Sequence, residues 1–396
     1  MKTNIAVFFG CRSVEHEVSI ISAVQAMASI KREKYDVTPV YVTKTGEMYT
    51  GEKLFEIEGY KNLPSLLKTC KKVHFVKEND SVVMKTEGGF LNKGKSYVID
   101  VAFPVVHGTN CEDGTIQGFF EYLGLPYVGC DIISSAVGMD KAIFKDVLKS
   151  AGLPVLDCLK FRAREYTENK DEITKEIIAE IGLPLIVKPV NLGSSVGITK
   201  VSTEDALDDA MTLAFSFADN VLVERAITSL REINCSVLGD TDSCEASVLE
   251  EPFMNDEILS YEDKYMSNGK SGGQSKGMAS LGRKIPAELT SEKEKEIRTL
   301  ACDIFKAIGA NGVVRIDFII DKDTDTVYAN EINTIPGSLS FYLWDATGLK
   351  YPDLLDKLVS LAFRRQRNRE NITYTIDTNI LSGVSFGTKG SKGAKM

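Results

Sequence analysis

The chain's 396 residues, 43% of them hydrophobic, are enough to bury a sizeable core and to form two or three globular domains. A formal net charge of −9 and a pI near 5.2 argue against nucleic acid or an anionic membrane surface as the main partner and favour small ligands. Eight cysteines stand without a C-x-x-C pair or a companion histidine at zinc spacing, and the opening "MKTNIAVFFGCRSVEHE" lacks the long apolar run of a signal peptide, so a reducing cytoplasm is expected. No stretch approaches membrane-spanning length.

Apolar β-like runs alternate with helical patterns, which predicts an α/β fold. "NIAVFFG" predicts a strand ending at Gly10, and "VSIISAVQAMASI" a helix. Between them "GCRSVEHEVS" places Glu15, His16 and Glu17 at the carboxyl edge of a sheet, where α/β proteins bind ligands. "YDVTPVYVT" and "SYVIDVAFPVVHG" are expected as further strands of a parallel sheet, the second bringing His107 to the same edge. A lone histidine there is more often a satisfied structural residue than a catalyst. "DKAIFKDVLKSAGLPV" predicts a helix closed by Gly152 and Pro154, a natural domain boundary.

"PLIVKPVNLGSSVGITKV" reads as strand, loop, strand. Gly193, Ser194 and Ser195 offer unobstructed backbone N–H groups, and Lys188 on the entering strand is a point charge for phosphate. It is not a Walker motif, and a Gly-Ser hairpin turn without ligand has the same composition. "VLVERAI" predicts an apolar strand ending at Glu224, either a plain charged strand end or a source of backbone groups for an adenine edge. "YEDKYMSNGKSGGQSKGMAS", residues 261–280, has the length and polarity of a lid or linker. "SEKEKEIRTLACDIFKAIG" predicts an amphipathic helix with Gly309 as its C-cap, and the glycine- and lysine-rich end after Arg369 is expected to be partly disordered.

The densest chemistry lies in "GVVRIDFIIDKDTDTVYANEINTIPGS". Two β-rich runs, 313–320 and 326–332, are joined by the polar turn "DKDTD", a hairpin signature. Strand alternation sends Arg315 and Asp317 to one face, and Glu331 and Asn333 likewise. Folding the hairpin gathers hard oxygen ligands beside one fixed positive charge, a set suited to Mg²⁺. The plainer alternative is a solvated hairpin face with incidental charges.

Six ordered blocks, "GCRSVEHEVSIISA", "HGTNCEDGTIQGFFEYLGLPYVG", "MDKAIFK", "VKPVNLGSSVGITKV", "RIDF" and "NEINTIPG", together resemble the D-alanine–D-alanine ligases of the ATP-grasp superfamily, from residue 4 to about residue 363. The resemblance implies three domains: a Rossmann-like N-terminal domain (1–138), a central ATP-grasp subdomain (139–228) and a C-terminal subdomain (229–368) with a lid at 258–286, followed by a tail (369–396). It implies ATP-dependent joining of two D-alanines through a D-alanyl phosphate, for peptidoglycan precursors. It also implies a cytoplasmic homodimer without nucleic acid or membrane partners. By position, Lys141, Lys188, Gly193, Ser194 and Ser195 resemble ATP contacts, with Glu224 on the adenine side and Glu232 on the ribose. Asp317, Glu331 and Asn333 resemble the Mg²⁺ or Mn²⁺ ligands. Glu15 would hold the ammonium of the first D-alanine, with His107 also on the substrate side. Arg315 and the Gly337 N–H would meet the oxyanion, and Lys264 and Tyr265 would sit on the lid with Ser194 bonded to the tyrosine.

Departures from the family pattern are local. Cys11 replaces a usual glycine, "TNCEDG" replaces Gly-Glu-Asp-Gly, and the lid is longer and richer in glycine and lysine. "SLSFYLWDATGLKYPDLL" is shorter than the usual segment that binds the acceptor carboxylate. Ser338 and Ser340 alternate with Leu339 and Phe341 after the Pro-Gly turn, so extended backbone would turn both hydroxyls to the site, with Tyr342 a third candidate; alternatively the serines cap the next helix. D-serine or D-lactate thus stay open as acceptors. A nucleotide-binding regulator without chemistry is disfavoured, because such a protein has little need of Arg315.

Overall fold

The computed structural model describes residues 2–88, 94–193, 196–252, 282–376 and 378–383. Ser194, Ser195, Lys264, Tyr265, most of the expected lid and the end of the tail lie outside the described residues. Three sheets carry the chain, with strands in the order β6-β5-β4-β3-β2-β1-β7, β10-β9-β11-β8 and β14-β13-β12-β15-β16.

The first sheet comprises β1 (Thr3–Gly10), β2 (Tyr35–Val42), β3 (Met48–Thr50), β4 (Lys71–Glu78), β5 (Ser81–Thr86), β6 (Ser96–Ile99) and β7 (Val101–Pro104). β1 pairs in parallel with β2 and β7, as expected, and is buried from Ile5 onward, the near-continuous apolar run of a strand covered on both faces. The segment "SYVIDVAFP" differs from expectation. It breaks at Asp100 into β6, antiparallel to β5 at one end of the strand order, and β7, parallel to β1 at the other. Asp100 makes the break by pairing with Asn4: its N–H donates to the Asn4 carbonyl at 3.0 Å, and its carboxylate accepts from the Asn4 N–H at 2.7 Å. One polar residue therefore carries the chain from one edge to the other, and the sheet curls on itself.

The second sheet is antiparallel throughout: β8 (Cys158–Arg162), β9 (Leu185–Pro189), β10 (Thr199–Val201) and β11 (Asn220–Arg225). Leu185, Val187, Val221 and Val223 pack on Ile173, Ile177, Leu207 and Met211 of two covering helices, Lys170–Glu180 and Leu207–Phe215. Alternation then sends Lys188 and Glu224 to the opposite face.

In the third sheet, β12 (Leu230–Gly239), β13 (Cys244–Pro252), β14 (Arg283–Lys284), β15 (Gly312–Asp321) and β16 (Thr326–Asn333) are again antiparallel. Ile233, Val237, Ile316, Phe318 and Ala329 bury against helix Ser291–Ala307 and against Phe144 and Leu148 of helix Lys141–Ser150. The former helix begins at Thr290, whose hydroxyl accepts from the Lys293 N–H at 3.2 Å, and ends as expected at Gly309, whose φ of +69° few side chains tolerate. The C-terminal helix Tyr351–Glu370 returns to the first sheet, where Leu354, Leu358 and Ala362 share its apolar core.

Candidate active site

The expected hairpin forms with Arg315 opposite Asn333 and Asp317 opposite Glu331, so all four project from the face of the sheet away from its core. Arg315 grips Asp317 through both ends of the guanidinium, Nε to Oδ1 at 2.6 Å and Nη2 to Oδ2 at 2.7 Å. The Asn333 amide donates to Asp317 Oδ2 at 3.2 Å, which leaves its own Oδ1 available as a ligand. A bulge follows Asp317: Phe318 pairs with Ala329, so Asn330 faces no partner residue and turns toward the second sheet, accepting from Lys188 Nζ at 3.3 Å.

Lysines arrive from the other side. Lys141, at the start of its helix, donates to the Leu192 carbonyl at 2.7 Å and lies 3.3 Å from Glu331 Oε2. Lys188 Nζ is 2.5 Å from Glu224 Oε1, and Lys145 holds the other oxygen of the same carboxylate and the Leu156 carbonyl. Burial opposes the Glu224 charge, but the two lysines outweigh it and hold its carboxyl down to about 2. Burial likewise lowers Lys145, with Glu224 opposing the shift. Glu232 stands on the site face of β12, one alternation from Asn234, which is paired with Asp317.

Glu15, immediately before helix His16–Ser29, takes a backbone bond from its N–H to Ser13 Oγ at 3.1 Å. Its carboxylate lies against Gly193 of the second sheet's loop, where an added Cβ would sit 3.1 Å from Oε2. Gly108, at φ +81°, is closer still: a Cβ there would meet Ser13 Oγ at 2.3 Å. His107 is fully engaged, with Nδ1 2.8 Å from the Ile335 carbonyl and Nε2 3.0 Å from Ser22 Oγ. Glu112 accepts from the N–H groups of Ile335 (2.7 Å) and Gly108 (3.0 Å). Burial nonetheless pushes its carboxyl up to about 7. Both residues tie the first sheet's loop to the turn that carries Gly337.

That turn corrects the extended reading of 338–341. Ser338, Leu339 and Ser340 have φ of 50°, 54° and 49°, three left-handed residues in succession, so the hydroxyls do not alternate with apolar partners. Ser338 donates its N–H to Ser22 Oγ at 3.0 Å and its hydroxyl to Gln25 Oε1 at 2.7 Å. Ser340 precedes helix Phe341–Thr347 without a side-chain capping bond, and its buried Oγ has no hydrogen-bond partner among the described residues. Side-chain capping is therefore not its role. Tyr342 donates its only proton to Glu250 Oε2 at 3.0 Å, and burial, with the Glu250 charge, pushes its phenol up to about 12.

Lys145, Glu112, Asn330, Glu250 and Arg283 escaped sequence reasoning. Lys145 alone had a readable signal, lying one helical turn from Lys141. No group of three or more His, Cys, Asp or Glu side chains converges among the described residues. Two carboxylates and an amide form the oxygen set, and this fits Mg²⁺, which completes its shell with water and substrate phosphates.

The second and third sheets, bringing lysines and carboxylates together between them, define an ATP-grasp fold. The family model described as D-ala D-ala ligase N-terminus matches residues 4–130, and that described as D-ala D-ala ligase C-terminus matches residues 147–360. A D-alanine–D-alanine ligase of Thermosipho melanesiensis is 40% identical over 380 residues, covering 96% of this chain and 98% of its own. One from a Thermoanaerobacter species is 42% identical over 375 residues, covering 91% and 96%. The solved D-alanine–D-alanine ligase from Coxiella burnetii superposes with a TM-score of 0.76 at 30% identity, covering 93% of this chain and 96% of that one. The VanG D-Ala:D-Ser ligase from Enterococcus faecalis gives 0.75 at 33%, covering 91% and 100%. The chain belongs to the D-alanine–D-alanine ligase family.

Proposed function

We propose that the chain uses ATP to join two D-alanines through a D-alanyl phosphate, supplying D-alanyl-D-alanine for peptidoglycan precursors in the cytoplasm. The observation that carries this is the meeting of Arg315, Asp317, Glu331 and Asn333 with Lys141 and Lys188 across two sheets, beside Glu15 from a third. Domain borders near 138/139 and 228/229 and assembly as a homodimer, without nucleic acid or membrane partners, are part of the same proposal.

Lys145 and Lys188 share the single carboxylate of Glu224, so one buried positive charge is left over for a phosphate to offset. Lys141 and the Gly193 loop are the neighbouring phosphate contacts, and Glu224 and Glu232 flank the adenosine. Asp317, Glu331 and Asn333 would hold Mg²⁺ or Mn²⁺, which when bound offsets the phosphate charge. Glu15 fixes the first D-alanine by its ammonium, so that its carboxylate takes the γ-phosphoryl group and becomes an acyl phosphate. The amine of the second D-alanine attacks that carbon, phosphate leaves, and the tetrahedral oxyanion meets Arg315 and the Gly337 N–H. Asp317 already takes the Nε N–H and one Nη2 N–H of Arg315, which leaves Nη1 and the second Nη2 N–H as donors for the oxyanion. His107 holds the Ile335 carbonyl and with it the turn carrying Gly337. The acceptor carboxylate is assigned to the Ser340 hydroxyl, which has no partner among the described residues, with Ser338 and Tyr342 bracing the turn around it. The roles of Ser194, Ser195, Lys264 and Tyr265 rest on the family alone.

A D-serine acceptor is the second reading, supported by the likeness to the D-Ala:D-Ser ligase. Phosphate release from ATP and D-alanine, measured with D-alanine, D-serine or D-lactate as second substrate, separates the two. The highest kcat/KM is expected for D-alanine. A D-serine value several-fold higher would move the assignment to the second reading.

A further inference from the structure

We propose that Glu250 and Arg283 are positioning residues that, together with Tyr342, orient the oxyanion arginine Arg315. This rests on the ligase reading above. Neither Glu250 nor Arg283 belongs to a motif that signals the family, and both come from strands at the far edge of the third sheet.

The two strands β13 and β14 pair through Glu251 with Lys284 and Pro252 with Arg283, which sets Arg283 beside the end of β13. Glu250, 3% exposed, is a hub: Arg283 Nη1 lies 2.8 Å from Oε1, while Tyr342 Oη donates to Oε2 at 3.0 Å. Asn234 Nδ2 lies 3.5 Å from the same Oε2, and Asn234 is the cross-strand neighbour of Asp317 on β12. The Arg283 guanidinium also stacks 4.4 Å over the Tyr342 ring. Arg315 feels the negative charge of Glu250, to which the neutral Tyr342 phenol is bonded. Two guanidinium groups thus share one buried region, and each has its own carboxylate, Asp317 for Arg315 and Glu250 for Arg283.

A buried ion pair is no stability device in itself, because well-packed apolar residues serve a core as well or better. What such a pair does supply is orientation. Asp317 holds the Arg315 guanidinium through Nε and Nη2, and the Glu250 carboxylate, itself held by Arg283 and Tyr342, adds a stationary negative charge, so the remaining N–H groups have one favoured direction. Tyr342 follows the turn that bears Gly337, so the same network ties both oxyanion donors to one frame. Oxyanion stabilisation depends on donors already in place at the reacting carbonyl, and misplacement by about 1 Å costs up to about a hundredfold in rate.

The test uses the full-length chain with Mg²⁺, ATP and D-alanine, and compares Glu250→Gln, Tyr342→Phe, Arg283→Met and Arg283→Lys with the wild type. Dipeptide kcat should fall at least about tenfold in the first three, with KM for ATP nearly unchanged, and Tyr342→Phe, which leaves both charges paired, should also retain the melting temperature. Arg283→Lys keeps the charge on Glu250 and should recover part of the loss. Tyr342→Phe removes one oxygen and keeps the ring under Arg283, so it carries the test if Glu250→Gln fails to fold. An active wild type whose Tyr342→Phe and Glu250→Gln variants keep its kcat overturns this inference alone. So does a loss matched by a rise in KM for ATP and a drop in melting temperature, which marks a merely structural role. A wild type without ligase turnover overturns the function and this inference with it.

Discussion

Glu15 lies where the first sheet's loop meets Gly193, and its contribution separates cleanly from that of the lysines. Glu15→Gln removes the charge that would pair with a substrate ammonium while leaving Lys141 and Lys188 in place. KM for the first D-alanine should rise at least about tenfold, with KM for ATP nearly constant, in steady-state kinetics with each substrate varied in turn. An unchanged first-substrate KM would take Glu15 out of the site. Glu112 makes a pH prediction. Burial raises its carboxyl from 4.5 to about 7 in the fold, so the protonated form is favoured there. Its stabilising contribution is fully present below about pH 4.5 and is lost as pH rises through 7, on the order of 3 kcal/mol. Melting temperature should therefore fall between pH 5 and 8 in the wild type more steeply than in Glu112→Gln, which keeps an oxygen for the Ile335 N–H; parallel profiles would contradict it. At this scale Glu15, Lys188, Arg315 and Asp317 were readable, because charged residues at strand ends or two apart on a strand declare a face. Glu112 and Glu250 were not, since each is defined by a partner far along the chain, and Lys145 showed only its spacing of one helical turn from Lys141.

The hairpin of β15 and β16 was legible as an element, because alternation alone decides which of its residues share a face. The bulge that releases Asn330 was not, since nothing in "VYANEI" marks the extra residue. Two other elements show where local pattern yields to tertiary context. The run "SYVIDVAFP" looks like one strand, but Asp100 finds its bonds on Asn4 and splits it. "GSLSF" looks extended, but Ser22, Gln25 and the core site of Leu339 hold it in a left-handed coil whose three non-glycine residues cost roughly 1–2 kcal/mol each. Such strain persists where surrounding contacts over-determine it, and here it presents the Ser340 hydroxyl, without a partner among the described residues. Ser340→Ala should raise KM for the second D-alanine about tenfold or more, leaving the first-substrate and ATP constants nearly unchanged and the melting temperature at or above wild type, since a buried orphan hydroxyl is removed. A uniform loss with a lowered melting temperature would leave the acceptor carboxylate unassigned.

Across the whole molecule, Glu15 comes from the first sheet's loop, Lys188 from the second sheet, and Arg315, Asp317, Glu331 and Asn333 from the third, and the proposed function gives these groups to an ammonium, to phosphate, and to the metal and oxyanion in turn. Alternating strands and helices with ordered motifs made this division readable. The curl of the first sheet depends on Asn4 and Asp100, 96 residues apart, and the return of the C-terminal helix Tyr351–Glu370 to its core on contacts more than 200 residues apart, such as Arg365 to the Gly129 carbonyl at 2.5 Å, which no local pattern encodes. The proposed function has a direct chemical consequence: with phosphoryl transfer and amide formation in one site, nucleotide turnover is expected to be tied to peptide formation. The measurement is product stoichiometry for the purified full-length chain given ATP, Mg²⁺ and D-alanine, with ADP and D-alanyl-D-alanine quantified in the same samples over time. The account predicts one dipeptide for each ADP and no ADP release when D-alanine is omitted. ADP formed without D-alanine, or D-alanine-dependent ADP with no dipeptide, would contradict it.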